Sequence, residues 1–358
     1  MENSIHRWAE PHALVVEPKI LTILGTYKCT AACENCCFGS NPFLTKRLTL
    51  EDIIAFIDEG SRGGECEMVV FSGGECFLLR NDLVAAISHA TDLGLATRVV
   101  TNGYWAKRMD HGRRRLSALK EAGLRELNVS TGDYHQQFVD EDTVINAAYL
   151  GVEQELKTLI IVELQKERQV TAAHLAAIPR VLGLLRHNPP VRIIESPWIP
   201  MDYRQAILQD EGRLINRENV HLRKGCDSIF NTIVVTPDQN VGFCCGLGRE
   251  RIPELNTSWV RGSLDGTLQG AARDFMKIWI YVDGPEKILA WAAEKDDRIT
   301  WENRYAHRCH ACLALFSDPL VRETIRRHYR ERLDDVLMRY VTRLRTQQEN
   351  DHAFADLP

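Results

Sequence analysis

Four cysteines stand within nine residues near the start of the chain, in the stretch YKCTAACENCC (27–37). Cys29, Cys33 and Cys36 follow the pattern C-x3-C-x2-C directly after a predicted strand. A structural zinc site takes four protein ligands, whereas a [4Fe–4S] cluster that receives three thiolates from one loop keeps one iron open to another ligand. The spacing therefore favours a cluster, and a zinc knuckle completed by Cys37 or a remote histidine is the alternative.

A second group of cysteines lies in the last part of the chain. Cys226 precedes a predicted strand pair, Cys244 and Cys245 end it, and Cys309 and Cys312 form a distant C-x2-C. A strand pair brings thiols close together, so this group predicts a second metal centre. A structural zinc ribbon with the same ligands is one interpretation, because four-cysteine zinc sites use similar spacing. The flanking residues His307 and His310 are expected to be surface residues, although either could replace a cysteine.

Bulk composition restricts the class of protein. The chain has 358 residues, 44% of them hydrophobic and 26% charged, with a formal net charge of -5. This charge gives no general attraction to nucleic acid or anionic lipid, so neither is expected as a partner. The first residues do not resemble a signal peptide, and no apolar run approaches the ~18 residues of a membrane span. We expect a cytoplasmic protein whose eleven cysteines, an odd number, are metal ligands and core residues rather than disulfides.

The elements that position the first cysteine loop alternate between strand and helix patterns. Six apolar strand candidates occur at 20–26, 67–73, 95–101, 125–130, 156–163 and 191–196. Thr49 and Asp52 predict a capping box before the first helix, and Pro179 predicts a kink or restart in the fifth. Six β-α units predict a parallel sheet whose working face is formed by the loops after the strands. Pattern alone leaves a doubly wound sheet and an open, partial barrel as alternatives.

The character of the sequence changes after Pro200. A strand pair is predicted at 230–245 with its turn at Asp238–Asn240, and one helix is predicted from Pro319 to about Gln347. The predicted organisation is an N-terminal extension (1–18), a β/α unit (19–200), a small α+β unit (201–318) and a C-terminal helix and tail (319–358). The eight arginines of the last helix most simply form a solvated face.

The chain resembles the radical S-adenosylmethionine (SAM) superfamily. The resemblance rests on the C-x3-C-x2-C loop after strand one and on Ser72-Gly73-Gly74-Glu75 after strand two. It implies a partial (β/α)6 TIM-like barrel and a [4Fe–4S] cluster on Cys29, Cys33 and Cys36 whose open iron binds SAM. Gly73, Gly74 and Glu75 would form the edge that receives the methionine amine, since glycines permit close backbone approach and a carboxylate pairs with an ammonium.

Two later loops are similar to family segments that line the cofactor cleft. By this resemblance Ser130 would hydrogen-bond the SAM carboxylate or ribose, and Asn102, in an Asn-Gly sequence that is also typical of turns, is a further cofactor-binding candidate. Tyr134 and His135 are candidates to reach substrate. One departure concerns Asn35, because the family often has an aromatic residue there, against which adenine packs.

The second cysteine group resembles the auxiliary-cluster domains, of twitch or SPASM type, that follow many radical SAM domains. The resemblance implies one auxiliary [4Fe–4S] cluster held by Cys226, Cys244 or Cys245, Cys309 and Cys312. Cys76, directly after the Gly-Gly-Glu segment, is a candidate thiol that faces the cleft and donates a hydrogen atom to a substrate radical. Cys66 is expected to be a small core residue.

The resemblance implies reductive cleavage of SAM and hydrogen abstraction from a substrate carbon. The expected substrate is a ribosomally synthesised peptide that would be cross-linked, dehydrogenated or epimerised. With about eighteen residues before the first strand, leader recognition would need another surface or a separate protein, and an electron donor such as flavodoxin or ferredoxin is implied. The alternatives are a dehydrogenase acting on a small molecule such as a sugar or aminocyclitol, and a non-catalytic iron–sulfur redox protein.

Overall fold

The computed structural model describes residues 17–188, 191–205, 211–244, 247 and 251–355. These residues form one nine-stranded sheet in the order β6-β5-β4-β3-β2-β1-β7-β8-β9. The strands are β1 (Ile20–Leu24), β2 (Met68–Ser72), β3 (Ala96–Thr101), β4 (Glu126–Thr131), β5 (Lys157–Leu164), β6 (Arg192–Pro197), β7 (Thr232–Val235), β8 (Asn240–Gly242) and β9 (Asn256–Ser258).

Helices cover the sheet and make up most of the C-terminal part. They are α1 (Leu50–Ser61), α2 (Asn81–Asp92), α3 (Met109–Glu121), α4 (Glu141–Glu153), α5 (Ala172–Ala177), α6 (Pro179–Leu185), α7 (Ser228–Asn231), α8 (Leu264–Ala271), α9 (Phe275–Asp283), α10 (Pro285–Lys295), α11 (Arg308–Ser317), α12 (Pro319–His328) and α13 (Arg330–Ala355).

Strands β1 to β6 pair in chain order and all run parallel. Helices connect them, which is the β/α alternation that the sequence predicts and that is typical of a partial TIM barrel. One face of each strand packs into the core beneath the helices, as Leu127 and Val129 of β4 do with no exposed surface. Because the strands are parallel, all six carboxyl ends lie at one edge, where the loops after them form a common site.

The C-terminal part extends the same sheet. Strand β7 pairs in parallel with β1 on the side opposite β2, and β8 and β9 follow as antiparallel neighbours. The predicted strand pair is confirmed, and its turn contains Gln239 with a φ of 57°. The sequence did not indicate that this pair would lie beside β1. That contact brings the second cysteine group to the sheet that carries the first.

Two predictions about helix ends are confirmed. Thr49 and Asp52 form the capping box of α1, and the predicted restart at Pro179 is found as a break between α5 and α6. The single helix predicted for 319–347 is wrong, because α12 ends before Tyr329 and α13 begins after it. The Tyr329 ring is buried at the break and packs against Phe275, with ring centroids 5.8 Å apart.

A buried carboxylate fastens the C-terminal part to the first helix. Glu59 of α1 is 5% exposed and accepts hydrogen bonds from Trp259 Nε1 (3.3 Å), Gly262 N (2.6 Å) and Leu264 N (3.0 Å). Arg261 pairs with Asp52 of the same helix at 2.7 Å. These contacts satisfy charges that would be costly to bury alone, so they hold the two parts of the sheet in a defined arrangement.

Candidate active site

The first cysteine loop leaves the carboxyl end of β1 and folds back on itself. Cys29 N donates to Asn41 O at 3.1 Å, and Cys36 N donates to Cys33 O at 3.3 Å. Cys29 is buried, while Cys33 and Cys36 are partly exposed, and none of the three is in a disulfide. The loop therefore presents three thiols at the edge where the sequence predicts the site.

The three sulfurs influence one another electrostatically. Burial raises the pKa of Cys29 to about 12, assisted by the nearby charges of Glu75 and Cys36. Burial also raises the pKa of Cys33 to about 12, with further contributions from Cys36, Glu163 and Cys29. Deprotonating all three thiols would concentrate negative charge, so the loop needs a cationic group to hold them as thiolates.

Two donors support the Cys29 sulfur. Ala31 N lies 3.4 Å from Cys29 Sγ, and Asn102 Nδ2 lies 3.6 Å from it. Asn102 Nδ2 also donates to Thr30 Oγ1 at 3.0 Å, and Asn102 Oδ1 accepts from Tyr104 N at 3.1 Å. The Asn102 side chain thus holds the β1 and β3 loops together and contacts the Cys29 sulfur, while its predicted contact with SAM stays a prediction.

The three thiols of the cysteine loop are compatible with an iron–sulfur cluster. Among the residues that the structure describes, no three His, Cys, Asp or Glu side chains are placed to hold one metal ion together. A zinc ion would require its sulfur ligands to converge to about 2.3 Å from one point. The ligands of a [4Fe–4S] cluster are spread over separate iron atoms, so neighbouring thiols that do not converge are compatible with it.

Gly73 and Gly74 pack against the backbone of the cysteine loop. Gly74 N donates to Thr26 O at 2.6 Å, and a Cβ at Gly74 would lie 2.2 Å from Lys28 O. Gly73 has a φ of 127°, and a Cβ there would lie 2.6 Å from Thr26 O. Only glycine fits at these two positions, because any side chain would push the chain just before Cys29 out of place.

Glu75 lies beneath this edge rather than on its surface. The side chain has no exposed surface, and its carboxylate accepts from Phe77 N (3.0 Å), Thr101 Oγ1 (2.8 Å) and Asn102 N (2.9 Å). Burial raises the pKa of Glu75, although these hydrogen bonds favour the ionised form. The carboxylate joins the β2 and β3 loops, and its predicted contact with the ammonium group of SAM stays a prediction.

Ser130 lies at the carboxyl end of β4, on the strand face opposite the helices. Asn128 lies two residues earlier and therefore on the same face. Asn128 is 6% exposed, and its Oδ1 has no hydrogen-bond partner in the described part of the chain. The predicted role of Ser130 stays a prediction. Asn128 adds an unsatisfied hydrogen-bond acceptor to this face. In the sequence it is visible only as a polar residue within an apolar strand.

Tyr134 and His135 are held by a carboxylate that the sequence analysis did not identify. Glu163, near the end of β5, is 4% exposed and accepts from Tyr134 N (2.8 Å) and His135 N (3.2 Å). It also contacts His135 Nδ1. The charge of Glu163 acts on Cys33 as well, so this loop is adjacent to the cysteine loop. The signal for Glu163 in the sequence was an acidic residue near the end of an otherwise apolar strand.

Trp198 is another residue that sequence reasoning missed. It follows β6, and its Nε1 donates to Glu34 O, inside the cysteine loop, at 3.0 Å. Its ring stacks with Tyr134 (centroids 5.9 Å apart, planes at 27°) and meets His135 edge-on at 5.5 Å. Aromatic and polar groups from the ends of β1, β4, β5 and β6 are thus in contact.

The prediction that Cys76 faces the cleft is wrong. Cys76 has no exposed surface, belongs to the hydrophobic core, and donates from Sγ to Val100 O at 3.3 Å. Burial raises its pKa well above the ordinary value. The residue begins a short 3-10 helix that turns its side chain inward. Cys66 is 7% exposed within the core, as expected.

Part of the second cysteine group is brought together. The charges of Cys226 and Glu286 raise the pKa of Cys312 further, although burial is the main cause. Arg308 interacts with both Cys226 and Cys309. Cys244 follows β8, and Cys245 lies outside the described residues. The ligand set that we predict for an auxiliary cluster therefore stays a prediction.

Of the two histidines of this region, His310 is buried and His307 is partly exposed. His307 caps α11 by accepting from Cys309 N at 3.2 Å, and burial lowers its pKa to about 4. His310 has no exposed surface and packs edge-on against Tyr305, with centroids 5.0 Å apart. The expectation of a surface residue is wrong for His310, because α11 turns this side chain into the C-terminal part.

Residues 23–140 match the model of the radical SAM superfamily. The matched span includes the cysteine loop, Gly73 to Glu75, and the loop with Tyr134 and His135. Residues 23–140 are a radical SAM domain. The predicted resemblance to this superfamily is confirmed over this span, which is about a third of the chain. Glu163, Trp198 and the second cysteine group lie beyond the matched span.

Two curated relatives match parts of the chain. The putative peptide biosynthesis protein YydG of Bacillus subtilis (strain 168) is 25% identical over 119 residues, which cover 33% of this chain and 37% of the relative. The PqqA peptide cyclase of Rhodopseudomonas palustris (strain ATCC BAA-98 / CGA009) is 35% identical over 109 residues, which cover 29% of this chain and 26% of the relative. The matches therefore span about a third of these relatives or less.

Solved structures of low similarity also align. BtrN in complex with AdoMet and 2-DOIA aligns with a TM-score of 0.40 at 15% identity, covering 74% of this chain and 92% of that one. Methylornithine synthase (PylB) aligns with a TM-score of 0.36 at 18% identity, covering 51% of this chain and 55% of that one.

Within the described residues, no helix has the length and apolar character needed to cross a membrane.

Proposed function

We propose that this protein is a radical SAM enzyme that modifies a ribosomally synthesised peptide. The observation that carries the proposal is the loop with Cys29, Cys33 and Cys36, which lies within the matched superfamily span. The peptide substrate is supported by the two relatives, whose names refer to peptide biosynthesis and peptide cyclisation. The outcome would be a cross-link, a dehydrogenation or an epimerisation.

A [4Fe–4S] cluster on these three thiolates, with SAM at its open iron, would supply one-electron cleavage of SAM and a radical able to take hydrogen from carbon. The residues around it position the reactants. Asn102 and Ala31 orient the Cys29 sulfur, and Gly73 and Gly74 hold the loop in register. Such fixed ligands and neighbours favour a defined geometry over a mobile one.

The face that carries Asn128 and Ser130 is the proposed surface for substrate. The unsatisfied Oδ1 of Asn128 could accept a hydrogen bond from a peptide amide, which would satisfy a buried acceptor that is otherwise costly. Glu163 fixes Tyr134 and His135 at the edge of this surface. We propose that these two side chains contact the peptide.

The C-terminal part would supply a second redox centre. We propose one auxiliary [4Fe–4S] cluster held by Cys226, Cys244, Cys309 and Cys312, with Cys245 as the alternative to Cys244. The interaction of Cys226 with Cys312 and of Arg308 with Cys226 and Cys309 supports this assignment. An external electron donor such as flavodoxin or ferredoxin would reduce the enzyme, and a separate protein could present the leader of the peptide.

A labelled substrate tests the peptide proposal directly. The anaerobically loaded protein is incubated with reductant, SAM and a deuterated precursor peptide encoded next to its gene. We expect deuterium in 5'-deoxyadenosine and a change in peptide mass. If 5'-deoxyadenosine forms without the label and the peptide stays unchanged, the peptide is not the substrate. Sugars and aminocyclitols are then tested in the same way.

A further inference from the structure

Asn35 in the cysteine loop already has a structural task. Its φ is 58°, in the left-handed region that asparagine tolerates better than most residues, and its Oδ1 accepts from Met201 N at 3.2 Å. The side chain therefore fastens the cysteine loop to the segment after β6. The residues on either side of Cys36 in the sequence, Asn35 and Cys37, carry no aromatic ring.

An aromatic ring from the segment after β6 lies against the cysteine loop. Trp198 reaches the loop from the end of β6, and its indole N–H is bound to Glu34 O, one residue before Asn35. Tyr134 stacks on the indole and His135 packs against it edge-on, so the ring is held from more than one side. Part of the indole stays exposed. A fixed, partly exposed ring costs little entropy when a flat ligand stacks on it.

We propose that Trp198, supported by Tyr134, is the stacking partner of the adenine of SAM in this protein. This assignment rests on the proposed function, because it requires SAM to bind at the cysteine loop. The Trp198–Glu34 hydrogen bond holds the ring beside the backbone that joins Cys33 to Cys36, the thiols that would hold the cluster. A ligand of that cluster would lie close to this backbone, where Trp198 offers a π-face to an attached purine.

The test compares the affinity of four proteins for SAM. Wild type, Trp198→Leu, Trp198→Phe and Trp291→Ala are loaded with iron and sulfide anaerobically, and binding of radiolabelled SAM is measured by equilibrium dialysis without reductant. Leucine keeps apolar bulk but lacks a π-face, whereas phenylalanine keeps the face. Trp291 is a matched control, because it is also partly exposed but packs on Trp279 in the C-terminal part.

Trp198→Leu should weaken SAM binding about 5- to 100-fold, which corresponds to the loss of one base–aromatic stack. Trp198→Phe should stay within a few-fold of wild type, and Trp291→Ala should match it. Iron content of the variants should equal that of wild type, and each variant should unfold in one cooperative transition. Binding of L-methionine, which lacks adenine, is followed by its effect on the cluster spectrum and should be equal in wild type and Trp198→Leu.

Two results would overturn the assignment while leaving the proposed function intact. One is SAM binding by iron-loaded Trp198→Leu that equals wild type. The other is an equal loss of SAM and methionine binding, which would mean that Trp198 only supports the loop. If iron-loaded wild type itself does not bind SAM, the proposed function is contradicted and this assignment falls with it.

Discussion

The side-chain amide of Asn102 donates to the sulfur of Cys29 across 3.6 Å, which connects the end of β3 to the first cysteine of the loop. Hydrogen bonds to ligand sulfurs help to set cluster potentials, and residues that orient metal ligands commonly matter almost as much as the ligands. Asn102 also donates to Thr30, so it restrains the loop at two points.

Replacing Asn102 with alanine should lower the rate of SAM cleavage by about 10- to 100-fold. The cluster should still assemble, because its three thiols are unchanged, but its reduction potential should become more negative. Rates are measured as 5'-deoxyadenosine formed, and potentials by a redox titration followed by electron paramagnetic resonance. Asn146→Ala, on α4, is the control, since its side chain donates to Ala106 O instead. An unchanged potential and rate in Asn102→Ala would refute the role given to this contact.

The buried carboxylate of Glu75 should be required for stability. In Glu75→Gln, an amide group would replace one oxygen and place a donor against Thr101 Oγ1 and the Phe77 or Asn102 N–H. We expect a loss of about 1–3 kcal/mol in the free energy of unfolding, because a buried donor would lack an acceptor. Chemical denaturation of the protein without iron measures this. A variant as stable as wild type would show that the carboxylate is not holding these loops.

Gly74 should tolerate no side chain. The Cβ of Gly74→Ala would lie 2.2 Å from Lys28 O, a backbone atom next to Cys29, so we expect poor folding or a loop that no longer takes up iron. Gly266→Ala is the matched control. It lies in α8 with nothing within 4 Å of its Cβ position, so the substitution should stabilise the helix by about 0.5–1 kcal/mol. Iron content after reconstitution and the melting temperature are measured for both. Normal iron uptake by Gly74→Ala would contradict the close approach.

Asp283 gives the stability of the C-terminal helices a dependence on pH. Burial opposes its ionisation, but hydrogen bonds and charge from Arg339, with support from Trp279 and Arg332, lower its pKa below the ordinary value. The pKa of Asp283 is lower in the folded protein than in the unfolded chain, so the ionised carboxylate stabilises the fold. This stabilisation is fully present above the unfolded pKa of about 3.9 and is lost as the pH falls through the folded pKa. Asp283→Asn should therefore cost about 1–3 kcal/mol at pH 7 and progressively less below pH 4. Urea denaturation of wild type and variant across this range measures the difference, and a constant difference would contradict the linkage.

The arginines of the last two helices have partners within the chain. Of the eight in 319–347, six pair with acidic residues, as Arg339 does with Asp283 and Arg322 with Glu254. Arg343 contacts Asp227 close to the second cysteine group. These pairs give the basic residues a structural task within the C-terminal part.

Local signals allowed much of the barrel to be predicted from the sequence. The cysteine spacing, the Gly-Gly-Glu segment and the capping box at Thr49 are each fixed by residues within a few positions of one another. The predicted position of Cys76 was wrong because it rested on the neighbouring Gly-Gly-Glu segment, whereas a short 3-10 turn decides where the side chain points.

Non-local contacts account for the features that the sequence did not reveal. Trp198 meets Glu34 across 164 positions of the chain, and β7 pairs with β1 across more than two hundred. Glu163 could have been noticed as an acid at the end of an apolar strand, but its partners could not. Such contacts depend on how the strands are ordered in the sheet, which hydrophobic periodicity does not specify.

Cys29, Cys33 and Cys36 are proposed to hold the cluster that cleaves SAM. The direct measurement is 5'-deoxyadenosine, quantified by mass spectrometry after anaerobic reconstitution with iron and sulfide and addition of dithionite and SAM. Wild type should form this product, and a variant with all three cysteines replaced by alanine should form none. A wild-type protein that takes up iron but forms no 5'-deoxyadenosine above background would contradict the account.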